Sequence, residues 1–237
     1  MLHLKNQKLL VVSPHPDDEV LGCGGLIKRV KDAGGKVYVL FLTVGETKEY
    51  PQHGVIKTDE RVAETEKVAK YLKYDDYEIA YPGGEYHLRL DQLPQKDLIS
   101  RIENSGRISL DKIKPTIVAT THHGDYNQDH RACAQAVFAA TRPTPRAHKE
   151  SPNIILGYDS VATAEWASVP ARQSNFFIAL KASELRTKIH AMKLYKSQIR
   201  NSHHQRSAFG IKTIAQYRGF QAGVSLAEGY FTYRLVI

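Results

Sequence analysis

The stretch VVSPHPDDEVLGCGG, residues 11–25, decides the fold, because an apolar run changes there into a polar turn and then into glycines that open a helix. The run KLLVVS at 8–13 has the short apolar pattern of a buried strand. Histidine and carboxylate side chains are costly to bury, so their place directly after that strand requires a compensating interaction. The sequence predicts a divalent metal ion there, and glycines that let the following helix pack closely on the sheet.

Further strands and helices alternate along the chain. Strands are predicted at 8–13, 36–44, 77–83, 115–121, 153–160 and 176–180, and helices at 22–35, 59–73, 93–105, 130–142 and 183–199. This alternation is typical of an α/β fold, a Rossmann-like, doubly wound and mostly parallel sheet with helices on both faces. The length of 237 residues suits one domain spanning residues 1–237.

Two polar clusters follow predicted strands. HPDDE follows the strand at 8–13, and HHGDYNQDH (122–130) follows the strand at 115–121. Because ligands of such sheets bind beyond the carboxyl ends of the strands, we expect the two loops to meet. His15, one aspartate of the first loop and His130 then supply three metal ligands, and the other aspartate serves as a base for water. Taken singly, an aspartate in this place could equally cap the helix, and a histidine could be a hydrogen-bonded core residue.

The positive charge of the chain lies in its C-terminal part. The formal net charge is +8; residues 142–237 carry 14 Lys and Arg against 5 Asp and Glu, whereas residues 1–141 carry 19 against 20. A nucleic acid, an anionic small substrate or lipid headgroup, and a plain solvated surface each account for such an excess. No nucleic-acid motif accompanies the charge, so nucleic acid is not predicted as a partner.

Cysteine content and hydropathy indicate the compartment. Cys23 and Cys133 are far apart in sequence and predict buried thiols of a reducing compartment, not a disulfide framework. No apolar run approaches the ~20 residues needed to cross a bilayer, and the first residues lack a signal-peptide cleavage site. We therefore expect a cytoplasmic protein without a membrane span.

The motif PHPDDEVLGCGG at 14–25, followed by GDYNQDH at 124–130, resembles the PIG-L/LmbE-like family of zinc-dependent N-acetylglucosaminyl de-N-acetylases. Shorter segments continue the resemblance in the expected order: TVGE at 43–46, RVAE at 61–64, YKSQ at 195–198 and RGFQAGVSLAEGYF at 218–231. The resemblance implies His15, Asp18 and His130 as ligands of one Zn²⁺ per chain, with iron as the alternative ion, and Asp17 as the general base.

Other site residues are also implied by the resemblance. Members similar to the thiol-sugar deacetylases carry a histidine where this chain has Asn127, whose amide can donate to an oxyanion but carries no charge. The role of general acid is thereby left to His123, to His122 or to Asp17 itself. Arg61, in RVAE, resembles a sugar-contacting residue, with a surface ion pair as its alternative. Glu228, in AEGYF, resembles a position near the active site, with a structural role as its alternative.

The predicted function is that of a metal-dependent hydrolase that removes an N-acetyl group from an amino-sugar substrate, including anionic nucleotide- or lipid-linked ones. The alternatives are a metal-dependent hydrolase of another amide, ester or phosphoester bond, and a non-catalytic binding protein that keeps the fold. Asp17 favours catalysis over binding, because a binding module needs no base. The resemblance leaves self-association into a homo-oligomer open.

Overall fold

A computed structural model describes residues 4–48, 54–145, 151–159 and 174–236. Its strands are β1 Lys8–Ser13, β2 Lys36–Val44, β3 Thr47–Lys48, β4 Val55–Ile56, β5 Asp76–Pro82, β6 Ile117–Thr121, β7 Ile154–Tyr158, β8 Phe176–Ala179 and β9 Ala227–Leu235. Seven of them form one sheet in the order β5-β2-β1-β6-β7-β9-β8, and β3 pairs with β4 in a short antiparallel ribbon. The predicted mostly parallel sheet is thereby confirmed.

The sheet departs from the prediction at one edge. Strands β5, β2, β1, β6 and β7 are parallel to one another, but β9 runs antiparallel between β7 and β8. Strand β9 was not predicted. Its segment AEGYFTYRL mixes charged and polar residues with aromatic ones, so it lacks the apolar run by which the other strands are recognised.

Helices lie on both faces of the sheet. They are α1 Asp18–Asp32, α2 Thr58–Leu72, α3 Gln95–Ser100, α4 Leu110–Ile113, α5 Gln128–Ala140, α6 Ala182–Leu194 and α7 Ala208–Ala222, with a 3₁₀ turn at Leu90–Gln92 and a π turn at Arg101–Ser105. The prediction of a helix over 183–199 was wrong beyond Leu194, because Tyr195 leaves the helical region and the Ser197 amide donates to Glu64. No helix among the described residues has the length and apolarity to span a bilayer.

The sheet separates two apolar layers. Leu9 and Val11 pack with α1, α2, α6 and α7, whereas Leu10 and Val12 pack with α3, α4 and α5. This alternation is the period of two of a strand that is buried on both faces. β1 lies between β2 and β6 in the sheet. The chain leaving the carboxyl end of β1 leads to β2 on one side, whereas the chain leaving the carboxyl end of β6 leads to β7 on the other, so the two connections diverge. That divergence leaves a crevice above β1 and β6, where open α/β sheets bind ligands.

The glycines of α1 permit close packing, as the sequence predicted. A Cβ atom on Gly22 would lie 2.1 Å from Cδ2 of Tyr158 on β7, and one on Gly25 would lie 2.5 Å from Cδ2 of Leu180. Both distances are shorter than van der Waals contact. Larger residues would push α1 away from the sheet, and the turn that precedes α1 would move with it.

Candidate active site

The turn between β1 and α1 presents the first cluster of polar side chains. Ser13 ends β1, and its hydroxyl donates to the carbonyl of His15 over 2.8 Å. Asp17 has φ of 113° and ψ of −32°, a conformation that costs a non-glycine residue about 1–3 kcal/mol. Its amide donates to Oε2 of Glu19, which holds the turn in place. Asp17 occupies the N-cap position of α1 without a side-chain capping bond, so its carboxylate serves another purpose than capping.

The loop between β6 and α5 presents the second cluster. Asn127 is the N-cap of α5, and its Oδ1 accepts a hydrogen bond from the Asp129 amide over 2.9 Å. The backbone amide of Asn127 donates in turn to Oδ1 of Asp125. Since the capping bond uses Oδ1, the side-chain group that Asn127 retains for other partners is the Nδ2 donor. These bonds set the start of α5, and with it the position of His130.

The two clusters meet around a potential metal site. His15, Asp18 and His130 are buried, and one donor atom from each lies within 4.8 Å of the others. Oδ2 of Asp18 is 3.3 Å from Nδ1 of His15 and 3.2 Å from Nε2 of His130. Two imidazoles and a carboxylate are a donor set of catalytic zinc sites. The tertiary structure thus brings together ligands that are more than a hundred residues apart.

Carboxylates behind the two imidazoles fix their orientation. Nε2 of His15 lies 2.8 Å from Oδ2 of Asp129, and Nδ1 of His130 lies 2.7 Å from Oδ2 of Asp125. Each ring therefore donates from one nitrogen to a carboxylate and turns its other nitrogen toward Asp18. Carboxylates in this place fix the tautomer and raise the basicity of metal-ligating histidines.

The electrostatics of the site favour a cation. Burial lowers the pKa of an imidazole, yet Asp18 and Asp125 raise the pKa of His130 to about 10. Burial likewise opposes ionisation of Asp18, but His130 and His15 hold its pKa well below the usual range. The negative charge around the imidazoles thus attracts a positive charge, either protons or a divalent ion. The donor atoms, their supporting carboxylates and this charge all fit a metal, which His15, Asp18 and His130 could hold.

A cavity of about 180 Å³ opens onto these donor atoms. Its walls are formed by His15, Asp17, Asp18, Leu21, Thr47, Arg61, His87, Leu88, Tyr126, Asn127, His130, Gln198 and Arg206. Asp17 is buried at the wall, and Nη1 of Arg206 lies 3.3 Å from its Oδ2. Burial raises the pKa of Asp17 to about 6, although Arg206 lowers it. A carboxyl group with such a pKa can accept and return a proton near neutral pH.

Comparison with known proteins identifies the family. A family model described as PIG-L, GlcNAc-PI de-N-acetylase, matches residues 10–141, more than half of the chain. The chain belongs to the PIG-L family. The matched residues include both loops that form the candidate metal site.

Two relatives and one solved structure extend this finding. The uncharacterized deacetylase YaiS of Escherichia coli K12 is 29% identical over 196 residues, covering 81% of this chain and 92% of YaiS. Diacetylchitobiose deacetylase of Thermococcus kodakarensis is 25% identical over 228 residues, covering 94% of this chain and 82% of that enzyme. The fold also matches GalB, the 4-carboxy-2-hydroxymuconate hydratase of Pseudomonas putida KT2440, with a TM-score of 0.70, 18% identity and 98% coverage of both chains. Since proteins named for different reactions share the fold, the reaction has to be argued from the site.

In this PIG-L family member Arg61 supports the turn of the site. Arg61 is 3% exposed. Its Nη1 donates to the carbonyl of Gly45 and to Nε2 of His87, each over 3.0 Å, and its Nη2 contacts the Pro16 carbonyl at 3.5 Å. His87 is therefore an acceptor at Nε2. Burial, His15 and Arg61 lower its pKa to about 3, so its ring is neutral. Arg61 thus lines the cavity while it holds the HPDD turn against β2.

Two residues that the sequence analysis predicted at the active site, His123 and Glu228, do not line this cavity. Nδ1 of His123 is 2.6 Å from the Tyr233 hydroxyl, and its ring lines a separate cleft of about 430 Å³ with Phe138 and Phe231. The carboxylate of Glu228 is buried in the core. The structure brings neither side chain to the donor atoms of His15, Asp18 and His130.

Sequence reasoning gave no role to seven residues of the cavity: Leu21, Thr47, His87, Leu88, Tyr126, Gln198 and Arg206. His87 follows β5, so the argument from strand ends could have found it. Gln198 lies in YKSQ, a segment that resembles the family but received no role. Arg206 lies in an irregular segment, where a single arginine gives no local signal.

Glu228 has a structural environment, which makes its effect on stability predictable. It accepts hydrogen bonds from the amides of Gly25 and Leu26 and from the Tyr230 hydroxyl, and Nζ of Lys188 lies 2.7 Å away. Glu228→Ala leaves a buried lysine without its counter-charge and is expected to cost about 3 kcal/mol of unfolding free energy. Urea denaturation measures this loss.

The double variant Glu228→Gln/Lys188→Met is the control for this prediction. It removes both charges, and we expect it to regain most of the lost stability. Metal content per folded chain should stay at the wild-type value in both variants. A Glu228→Ala protein as stable as wild type would contradict the structural role.

Proposed function

We propose that this protein is a metal-dependent deacetylase that hydrolyses the acetamide of an N-acetylated amino sugar. The observation that carries the proposal is the juxtaposition of His15, Asp18 and His130 with the buried carboxylate of Asp17, on the wall of one cavity. Membership of the PIG-L family and the deacetylase names of two relatives support the same reaction.

The ion is proposed to be one Zn²⁺ per chain, with iron as the alternative. Two imidazoles and a carboxylate suit either borderline ion. When bound, it would polarise the acetamide carbonyl and make water easier to deprotonate. The carboxylates of Asp125 and Asp129 would keep the His130 and His15 rings in place as ligands.

The protein's own groups supply the proton transfers. Asp17 accepts a proton from the water whose oxygen attacks the acetamide carbon. The Nδ2 group of Asn127 donates to the oxygen that becomes negatively charged. Asp17 then gives its proton to the nitrogen as the carbon–nitrogen bond breaks, which yields acetate and the free amine.

Asp17 is assigned both proton transfers because the histidines suit the acid role poorly. The neutral ring of His87 has a pKa of about 3 and holds no proton at Nε2 to give. His123 lines the separate aromatic cleft, and the ring of His122 stacks on it with the ring centroids 4.7 Å apart. Asp17 therefore acts as base and then as acid, as its pKa of about 6 allows.

The substrate is proposed to be a small N-acetylated sugar, by analogy with the diacetylchitobiose of the Thermococcus relative. The excess of basic residues in 142–237 favours a substrate with a negative substituent. Arg61 contributes to this site mainly by holding the turn of Asp17. A cytoplasmic location is part of the proposal.

A substrate screen tests the proposed function. The purified protein, loaded with Zn²⁺ or Fe²⁺, is incubated with N,N′-diacetylchitobiose, N-acetylglucosamine and N-acetylglucosamine phosphates, and acetate and free amine are measured. We expect equal amounts of both products from at least one sugar, and no turnover after chelation. Metal-loaded protein that releases acetate from none of them, or that only hydrates unsaturated acids, would refute the assignment.

A further inference from the structure

The cavity contains a second guanidinium, that of Arg206, to which neither the family motifs nor the proposed reaction gives a role. It lies between α6 and α7 and reaches the wall of the cavity beside Asp17. We propose that Arg206 determines specificity by binding an oxyanion, phosphate or carboxylate, on the substrate, and that it leaves Asp17 when it does so. This inference rests on the proposed function for the identity of the sugar.

The hydrogen bonds of Arg206 leave one edge of its guanidinium available. Nη1 makes side-chain hydrogen bonds to Oε1 of Gln198 at 2.6 Å and to Oδ2 of Asp17 at 3.3 Å. Nε is buried and has no hydrogen-bond partner within the described ranges. A buried donor without a partner is unfavourable, so a rearrangement that gives Nε a partner is favoured. Nε and Nη2 form the edge that binds two oxygens of a carboxylate or phosphate.

The two arginines of the cavity differ in how firmly they are held. Arg61 is on α2, and both of its Nη groups contact backbone carbonyls. Arg206 lies in a segment of turns between Leu194 and Ala208, where residues 201–205 are exposed. Its own side chain is 31% exposed. Arg206 is therefore the guanidinium that can change partners when a ligand enters.

The contact between Arg206 and Asp17 couples recognition to the base. Without a ligand, the guanidinium occupies a hydrogen-bonding position on Oδ2 of Asp17. An oxyanion that binds the Nε–Nη2 edge draws Arg206 away, and Oδ2 becomes available to the attacking water. A substrate that lacks the oxyanion has to displace Arg206 from Asp17 without forming a new bond to the Nε–Nη2 edge. Anionic amino sugars are thus expected to bind more tightly than the neutral sugar.

Binding of reaction-product analogues tests the proposal independently of turnover. Calorimetry with the metal-loaded full chain measures the affinity for glucosamine, glucosamine 1-phosphate, glucosamine 6-phosphate and muramic acid. The two sugar phosphates test binding of a phosphate, and muramic acid tests binding of a carboxylate. In the wild type we expect at least one anionic sugar to bind about tenfold or more tightly than glucosamine, as a charge-assisted bidentate contact provides. Arg206→Gln should reduce this preference to less than about twofold.

Three further variants make the result specific. Lys212→Gln removes the same charge from an exposed position of α7 and should keep the preference. Gln198→Ala removes the partner that holds Nη1, and it should keep or increase the preference because Arg206 remains. If Arg206→Gln does not fold, Arg206→Lys, which has a charge but no planar edge, should show an intermediate preference.

The proposal is overturned if the wild type binds every anionic sugar no more tightly than glucosamine, or if Arg206→Gln keeps the full preference. Failure of the proposed function has a different signature: a preference that depends on Arg206, together with no release of acetate from the corresponding N-acetylated sugars.

Discussion

Asp17→Asn is expected to lower the rate of acetate release by roughly 10²–10⁴-fold, the usual contribution of a positioned general base. Asparagine is nearly isosteric, and it tolerates positive φ better than most residues, so the turn at φ of 113° should persist. The Asp17 amide still donates to Glu19, and the three proposed metal ligands are unchanged. The loss should therefore appear in turnover while the variant keeps its metal.

The measurement combines initial rates of amine release with metal content by elemental analysis. Asp32→Asn is the matched control, because it makes the same change at the exposed end of α1 and should leave both quantities at the wild-type level. An Asp17→Asn enzyme with wild-type turnover would remove the base from the mechanism. If neither the wild type nor Asp17→Asn released any amine, a binding protein would be favoured over an enzyme.

His130→Ala is expected to weaken metal binding by more than about 100-fold. Removing a carboxylate that merely supports a metal ligand already costs 10–100-fold, and His130 is itself a proposed ligand. The variant loses one of three donors and leaves Asp125 without its imidazole partner. Turnover should fall with metal occupancy, and excess metal should not restore it fully.

Metal per chain after dialysis, and the rise in melting temperature on adding metal, both report this loss. A ligand at 100 times its Kd stabilises a protein by about 2.7 kcal/mol, so the wild type should show a clear shift and the variant little. His123→Ala is the matched control, since its ring lies against Tyr233 and not at the donor atoms. Equal metal affinity in His130→Ala and wild type would show that the ion, if any, lies elsewhere.

The candidate site could be predicted from sequence to the extent that it follows the ends of regular strands. His15 and Asp18 come directly after β1, and His130 comes shortly after β6. Parallel strands end at one edge of a sheet, so the sequence predicts that these residues meet. Zinc, the base and the substrate remain proposals about that site.

Contacts that depend on irregular segments could not be predicted. Arg206 reaches Asp17 from the turns between α6 and α7, and His87 reaches Arg61 from the loop after β5. Tyr233 lies 110 positions from His123 and Lys188 lies 40 positions from Glu228, so the sequence could not show that these contacts hold both side chains away from the cavity. Such contacts have no periodic pattern, because they depend on where loops lie after the core has packed.

By itself, therefore, the sequence determined the alternation of strands and helices, the parallel part of the sheet and the two polar loops above it. These features follow from local periodicity and from the rule that parallel strands share an edge. The antiparallel β9, the support of the HPDD turn by Arg61 and the partners of Arg206 were decided by the tertiary structure alone. Their physical cause is packing between residues that only the folded chain brings into contact.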